Sequence, residues 1–208
     1  MTKTGVFLTF EGIDGSGKST QARMLSDALR QQGLDPVLTR EPGGSEGAEQ
    51  IRRLLLDGAT DRWSAETELL LFTAARRDHL ERTIAPALEQ GRPVISDRFA
   101  DSTRVYQGAT RGDLRGLVDR LHKDFIGREP DLTFIVDMDP ETALARGLAR
   151  QSGEDRFEEF GVGFQQALRR GFLDLAADFP DRCHIVDGNR SIERVAEDVL
   201  AIAGSRVA

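Results

Sequence analysis

The sequence predicts an α/β protein, a five-stranded parallel sheet with helices on both faces. Three observations carry this. Five short apolar runs alternate with longer stretches whose apolar residues recur at helical spacing. Strands joined by helices in this way run parallel and need cover on both sides. A glycine-rich segment, Gly12–Ser19, lies directly between the first apolar run and the first helical stretch. Finally, 208 residues with 39% hydrophobic side chains suffice for one core, and no repeat, low-complexity tract or linker divides them.

Each element follows from local pattern. Val6-Phe7-Leu8-Thr9-Phe10 reads as a buried strand. Lys18 to about Gln32 reads as a helix, with Ala22, Leu25, Ala28 and Leu29 on one face and Gly33 to stop it. Pro36–Thr39 is a second strand, and Glu41-Pro42-Gly43-Gly44 a loop. Gly47–Leu56 is helical, as is a longer stretch from about Ala65 to Glu89 with a bend near Pro86. Pro93–Ser96 is the third strand, followed by helical pieces at Asp101–Tyr106 and Asp113–Phe125. Leu132–Val136 is the fourth strand, and Pro140–Ala149 a helix with proline at an early position. Gln151–Asp155 breaks the periodicity as a polar loop, and Phe157–Ala177 is helical again. His184–Val186 is the fifth strand, and Ser191 caps a last helix to Ala203. The expectation is one domain over 1–208, with a short lid at about 146–158.

Composition narrows the function. Twenty-eight basic residues against 35 acidic ones give a formal charge of −7, which argues against a dedicated nucleic-acid partner. Only Lys3, Lys18 and Lys123 are lysines. The single cysteine, Cys183, excludes an internal disulfide and a multi-cysteine zinc site and reads as a small buried residue. No apolar run approaches the roughly 18 residues of a membrane span. The short run Val6–Phe10, ended by Glu11, is not a signal peptide. The expected location is the cytoplasm, with no membrane partner.

The sharpest motif is Gly12-Ile13-Asp14-Gly15-Ser16-Gly17-Lys18-Ser19, continuing to Thr20. It matches G-x-x-x-x-G-K-[ST] between a strand and a helix, the context that a phosphate-binding loop of the P-loop NTPase type requires. Glycines let backbone N–H groups wrap phosphate oxygens, and the helix N-terminus adds partial positive charge. Lys18 reaches the β- and γ-phosphates, and Ser19 offers a hydroxyl to Mg²⁺. The guanine-reading N-K-x-D of a switch GTPase is absent from the sequence. The D-x-x-G at Asp113–Gly116 follows no strand and reads as chance.

The acceptor side is less explicit. Asp97-Arg98-Phe99 ends the third strand, where parallel sheets line their ligand crevice. Asp97 can hold Mg²⁺ through water, and Arg98 can fork onto a phosphate. Arg40, in Thr39–Gly44 after the second strand, points to the same crevice. Phe72 and Arg76 lie four residues apart on one helix face, an aromatic plane beside a guanidinium that would suit a nucleobase. Spacing alone favours the plainer alternative, a packed Phe72 and a solvated Arg76.

Taken in order, Gly12–Thr20, Thr39–Gly44, Phe72 with Arg76, Asp97-Arg98-Phe99, Tyr106-Gln107-Gly108 and Pro130-Asp131-Leu132 resemble the thymidylate kinases over nearly the whole chain. The resemblance implies a nucleoside-monophosphate-kinase fold, conversion of ATP and dTMP to ADP and dTDP with Mg²⁺, and a homodimer packed through helices. By position it implies that Phe72 stacks on thymine, Arg76 bonds a base carbonyl, and Arg40 and Arg98 hold the dTMP phosphate. Asp14 would approach the sugar 3′-hydroxyl, Ser102 and Thr103 the base, and Gln107 the substrate, while Tyr106 would crowd the 2′ position.

Two departures matter. Phe99 stands where several relatives carry tyrosine or histidine. The variable loop positions Ile13, Asp14, Gly15 and Ser16 hold no cation, which resembles the bacterial branch that takes basic residues from the lid. Asp155-Arg156-Phe157-Glu158 is similar to that branch's lid sequence, with Phe for an aliphatic residue. Arg150 and Arg156 are the expected catalytic arginines, with Arg146 third. The rivals are another nucleotide or deoxynucleoside kinase, for which Glu11 is the candidate base, and a non-catalytic nucleotide-dependent module.

Overall fold

The apolar runs do become strands. In the computed structural model, which describes residues 4–58, 62–110, 114–148 and 161–207, they are β1 (Phe7–Glu11), β2 (Val37–Arg40), β3 (Val94–Asp97), β4 (Leu132–Asp137) and β5 (Cys183–Asp187). Their order is β2-β3-β1-β4-β5, and every pairing is parallel. β1, the strand that carries the phosphate loop, is therefore central. β2 lies at an edge, and its residues are half-buried or exposed in alternation.

The helices are α1 (Lys18–Gln31), α2 (Glu46–Leu56), α3 (Ala65–His79), α4 (Ala85–Glu89), α5 (Ala100–Thr110), α6 (Arg115–Leu121), α7 (Pro140–Leu148), α8 (Gly161–Asp178) and α9 (Ile192–Val207). The bend expected near Pro86 is a π-helical turn at Leu80–Ile84 that joins α3 to α4. Proline has no N–H and its ring crowds the carbonyl four residues back, so the wider turn just before it relieves both problems. A second π turn, His122–Ile126, ends at Gly127 with φ 65°. Residues 111–113 and 149–160 lie outside the described residues, and with them Asp113, Arg150, Arg156 and most of the expected lid.

Strand alternation sorts the core into two faces. Leu8, Phe10, Ile95, Phe134, Val136 and Val186 pack under α1 and α9 against Leu25, Leu29, Val195 and Val199. The other face carries Phe7 and Val94 near α4, and Ile135 near α8. That face also carries Thr9, Glu11, Ser96 and Thr133, all fully buried. They must be satisfied locally, and Thr9 and Thr133 share a hydrogen bond of 2.9 Å. This polar seam leads to the carboxyl ends of β1 and β3, where Glu11 and Asp97 stand. Cys183 is buried as expected, and burial, with Asp101 adding to it, pushes its thiol up to about 12. Such a thiol is inert.

Candidate active site

The phosphate loop leaves the end of β1. Gly12, Gly15 and Gly17 have φ of 135°, 83° and 99°, a region L side chains avoid. At Gly15 there is also no room, since a Cβ would fall 1.9 Å from the Ala143 carbonyl oxygen of α7. The loop therefore lies flush against that helix. Lys18 opens α1 buried, and its Nζ donates to the Ile13 carbonyl at 2.7 Å, spanning the loop. Burial pulls its ammonium down to about 8, and the Arg98 charge adds to that. Beyond the loop a cleft is lined by Gly15, Ser16, Gly17, Ser19, Thr20, Arg23 and Arg146, with Gly188, Arg190 and Ile192 opposite.

On the other side of Asp14 is a second cleft, between α3 and α5. Its lining includes Asp14, Glu41, Pro42, Arg52, Phe72, Arg76, Arg98, Ser102, Thr103, Tyr106 and Gln107. Phe72 is half-buried and borders the opening, whereas Arg76 is 4% exposed. The expectation from spacing alone is thus reversed: the ring faces the cleft and the guanidinium is the packed group. Arg76 survives burial because its Nε donates to Glu41 at 2.7 Å, and its Nη2 to the Phe99 carbonyl and Thr103 Oγ1. Glu41 is itself held by His79 Nδ1 at 3.0 Å, and His79 Nε2 meets Thr39 Oγ1 at 2.7 Å.

Arg98 ties this cleft to the phosphate loop. It is the one non-glycine residue with positive φ, 71°, among those described. Such a backbone costs about 1 kcal/mol or more and persists where neighbours over-determine it. Here the Arg98 N–H donates to the Phe10 carbonyl, its own carbonyl accepts from Ser96 Oγ, and the next N–H, of Phe99, donates to Glu11. The guanidinium then reaches Asp14, Ser102 Oγ at 2.7 Å and Tyr106 OH at 3.3 Å. Tyr106 donates to the other Asp14 oxygen at 2.8 Å. Burial alone would push Asp14 up, but Arg98 and Lys18 outweigh it and hold its carboxyl below the usual range. Burial pushes the Tyr106 phenol up, so it stays a donor.

Glu11 differs. It is fully buried and does not line the cleft, and its two oxygens accept from the Phe99 N–H and Ser102 Oγ. Burial, with Asp101 adding to it, raises its carboxyl to about 7. A group so enclosed supports the Arg98 turn, a role that fits a structural acid better than the base that a deoxynucleoside kinase would need.

Magnesium has a fitting place. Asp97 Oδ1 is buried without a hydrogen-bond partner, at the end of β3 beside the loop. Ser19 opens onto the donor cleft. No cluster of three or more His, Cys, Asp or Glu able to hold a metal occurs among the described residues. Two protein oxygens completed by phosphate and water suit Mg²⁺, which keeps much of its hydration.

The thymidylate kinase family model matches residues 10–199. The chain belongs to the thymidylate kinase family. It is 73% identical over 201 residues to the thymidylate kinase of Dinoroseobacter shibae, covering 97% of each chain. It is 48% identical to that of Caulobacter vibrioides, covering 98% of each. A thymidylate kinase crystal structure from Ehrlichia chaffeensis superposes with a TM-score of 0.78 at 38% identity, covering 97% of this chain and 99% of that one. The fold is thus the nucleoside-monophosphate-kinase fold, and the chain is a dTMP-phosphorylating enzyme.

Within that family frame the structure redistributes some expected residues. Arg40 does not line the cleft; its guanidinium pairs with Glu49 at 3.2 Å and is half-exposed at the rim. As the residue after Thr39 at an edge strand's end, it turns outward. Arg52 of α2 lines the cleft instead, donating to the Pro42 carbonyl. Sequence reading passed it over because Arg52 and Arg53 sit together on an amphipathic helix and look like solvated charges. Glu41 and Glu68 were also missed, since a lone carboxylate signals nothing until its partner is known. The Gly188–Arg190 side of the donor cleft lacks any motif.

Proposed function

We propose that the cleft between α3 and α5 receives dTMP, that the loop at Gly12–Thr20 receives ATP, and that the γ-phosphoryl passes between them at Arg98. The observation that carries this is Arg98 itself, one guanidinium bonded to the loop through Asp14 and open to the cleft floor. In this reading Phe72 stacks on the base and Arg76 donates to a base carbonyl. Arg98 and Arg52 hold the acceptor phosphate, with Arg40 at the rim. Asp14 and Tyr106 meet the sugar, while Ser102, Thr103 and Gln107 border the substrate.

Acceptor activation needs no protein base. The dTMP phosphate has a second pKa of about 6, so the attacking oxygen is already anionic near neutrality. The chain's task is to align two polyanions and neutralise charge on the transferring group. Lys18 moves from the Ile13 carbonyl onto phosphate, and Arg98 steadies the acceptor. Ser19 and Asp97 would hold Mg²⁺, which when bound supplies charge between the phosphates. Arg150, Arg156 and then Arg146 are the order in which we expect lid arginines to complete the charge. Of these, Arg146 lines the donor cleft, its Nη1 3.4 Å from Met138 Sδ. Lid closure would exclude water, the competing acceptor.

A homodimer is part of this reading, and the exposed Leu70 on α3 and Phe125, whose carbonyl accepts from Arg77 of α3, offer it apolar surface. No helix among the described residues is long and apolar enough to cross a membrane. The cytoplasm is the compartment we assign.

The test is ADP release across an acceptor panel of dTMP, dUMP, dCMP and thymidine. We expect release to depend on dTMP and to be negligible with thymidine, which brings no anionic oxygen. Thymidine turning over as well as dTMP would overturn the reading.

A further inference from the structure

The Gln107 side chain is the least explained part of the acceptor cleft. It lines the cleft from α5 yet is 2% exposed. Its Nε2 donates to Glu68 Oε1 of α3 at 3.0 Å. Glu68 is fully buried and does not line the cleft. A side-chain amide is symmetric in shape and opposite in hydrogen-bond sense at its two ends. Left alone it would offer either end to a ligand. A carboxylate accepts only, so it takes the NH₂ end and turns the oxygen the other way, into the cleft.

We propose that Glu68 is a positioning residue that fixes the Gln107 amide with its oxygen toward the cleft, so that the site selects bases carrying a ring N–H donor at that edge. The neighbouring group completes the pattern. Arg76 Nε is taken by Glu41, and its Nη2 by the Phe99 carbonyl and Thr103, which leaves Nη1 as a donor for the cleft. A donor beside an acceptor matches a carbonyl beside a ring N–H, the edge of thymine and uracil. Cytosine presents the inverse, an amino donor beside a ring acceptor. A site whose buried polar groups are matched to one edge rejects the other by leaving them unpaired.

The inference rests on the base lying in this cleft, and the experiment separates the two ideas. The ligand pair is dTMP and 5-methyl-dCMP, which differ in hydrogen-bond sense and hardly in size. Glu68→Gln keeps the shape at that position but no longer dictates which end of the Gln107 amide it receives. We expect kcat with saturating dTMP to stay within about threefold, and the ratio of kcat/KM for dTMP over 5-methyl-dCMP to fall by about tenfold or more, through KM. A purely structural role would lower the melting temperature and leave that ratio alone. Should Glu68→Gln not fold, Glu68→Met keeps the volume and removes the acceptor that holds the Gln107 NH₂, leaving the amide free to offer either end to the cleft, and the same fall is expected. An unchanged ratio in either folded variant overturns the role of Glu68. If instead Phe72→Ala leaves dTMP affinity untouched, the placement of the base is what fails.

Discussion

The phosphate loop presents backbone, and the acceptor cleft presents side chains. The loop is contiguous, positioned by β1 and α1, and its shape comes from glycines at positive φ and a close approach to Ala143. Its one cation is Lys18. The cleft is assembled from Asp14 of the loop, the segments after β2 and β3, α2, α3 and α5, and each of three cations there has a partner within the protein. Arg76 is matched by Glu41, Arg98 by Asp14, and Arg52 by the Pro42 carbonyl. A backbone cradle binds any polyphosphate and leaves discrimination to others. A cleft of pre-oriented side chains can discriminate, because each buried polar group has one permitted direction. Changes in the loop should therefore appear in rate, and changes in the cleft in affinity and selectivity.

The largest effect should come from the loop. On the proposed reading Lys18→Ala removes the cation that would meet the transferring phosphoryl, at an expected cost of about 10²-fold or more in kcat. The dTMP dissociation constant, from titration without ATP, should hold within a few-fold. Equal damage to dTMP affinity would show that the two regions are not separable and that Lys18 supports the cleft as well.

Phe72→Ala sharpens the comparison from the other side. Loss of a stacking plane should weaken dTMP binding by about 1–3 kcal/mol. ATP affinity should be unchanged, since Phe72 is not part of the donor-cleft lining. Calorimetric titration of both ligands decides it, and parallel weakening would return Phe72 to the core.

The same contrast explains what was legible in the sequence. All five strands are found within about a residue or two of their expected bounds, because buried strands leave short apolar runs. The loop was readable residue by residue, since contiguous backbone chemistry needs fixed spacing. The cleft was readable only where a motif or family resemblance marked it. Arg76 was indistinguishable from a solvated arginine until Glu41, 35 positions away, was seen beside it. Arg40 and Arg52 could not be ranked, because the outward turn of an edge strand and the rotation of α2 are set by packing and leave no local trace. Glu11 looked like a strand terminator; it is a buried acid holding the Arg98 turn.

That buried acid gives the smallest and most specific prediction, on stability and not on rate. Its folded carboxyl is pushed up to about 7 from an ordinary 4.5, raised first by burial and then by Asp101, with Arg98, Ser102 and the Phe99 N–H opposing. Between those two values the native protein holds a proton that the unfolded chain has lost. Stability contributed by Glu11 is therefore greatest below about 4.5 and falls as pH rises towards 7, with no further loss above. The slope for one group cannot exceed about 1.4 kcal/mol per pH unit, and sharing with Asp101 makes it less. Glu11→Gln has no such proton to lose. Its amide oxygen still accepts from the Phe99 N–H, and its NH₂ turns the Ser102 hydroxyl round. Urea unfolding of both proteins across that window should give a flatter dependence for the variant, the two curves converging or crossing as pH rises. Parallel curves would mean that Glu11 keeps an ordinary carboxylate titration, held by Arg98 through Ser102. The Arg98 turn would then belong to the charged network of the cleft and not to the neutral interior beneath it.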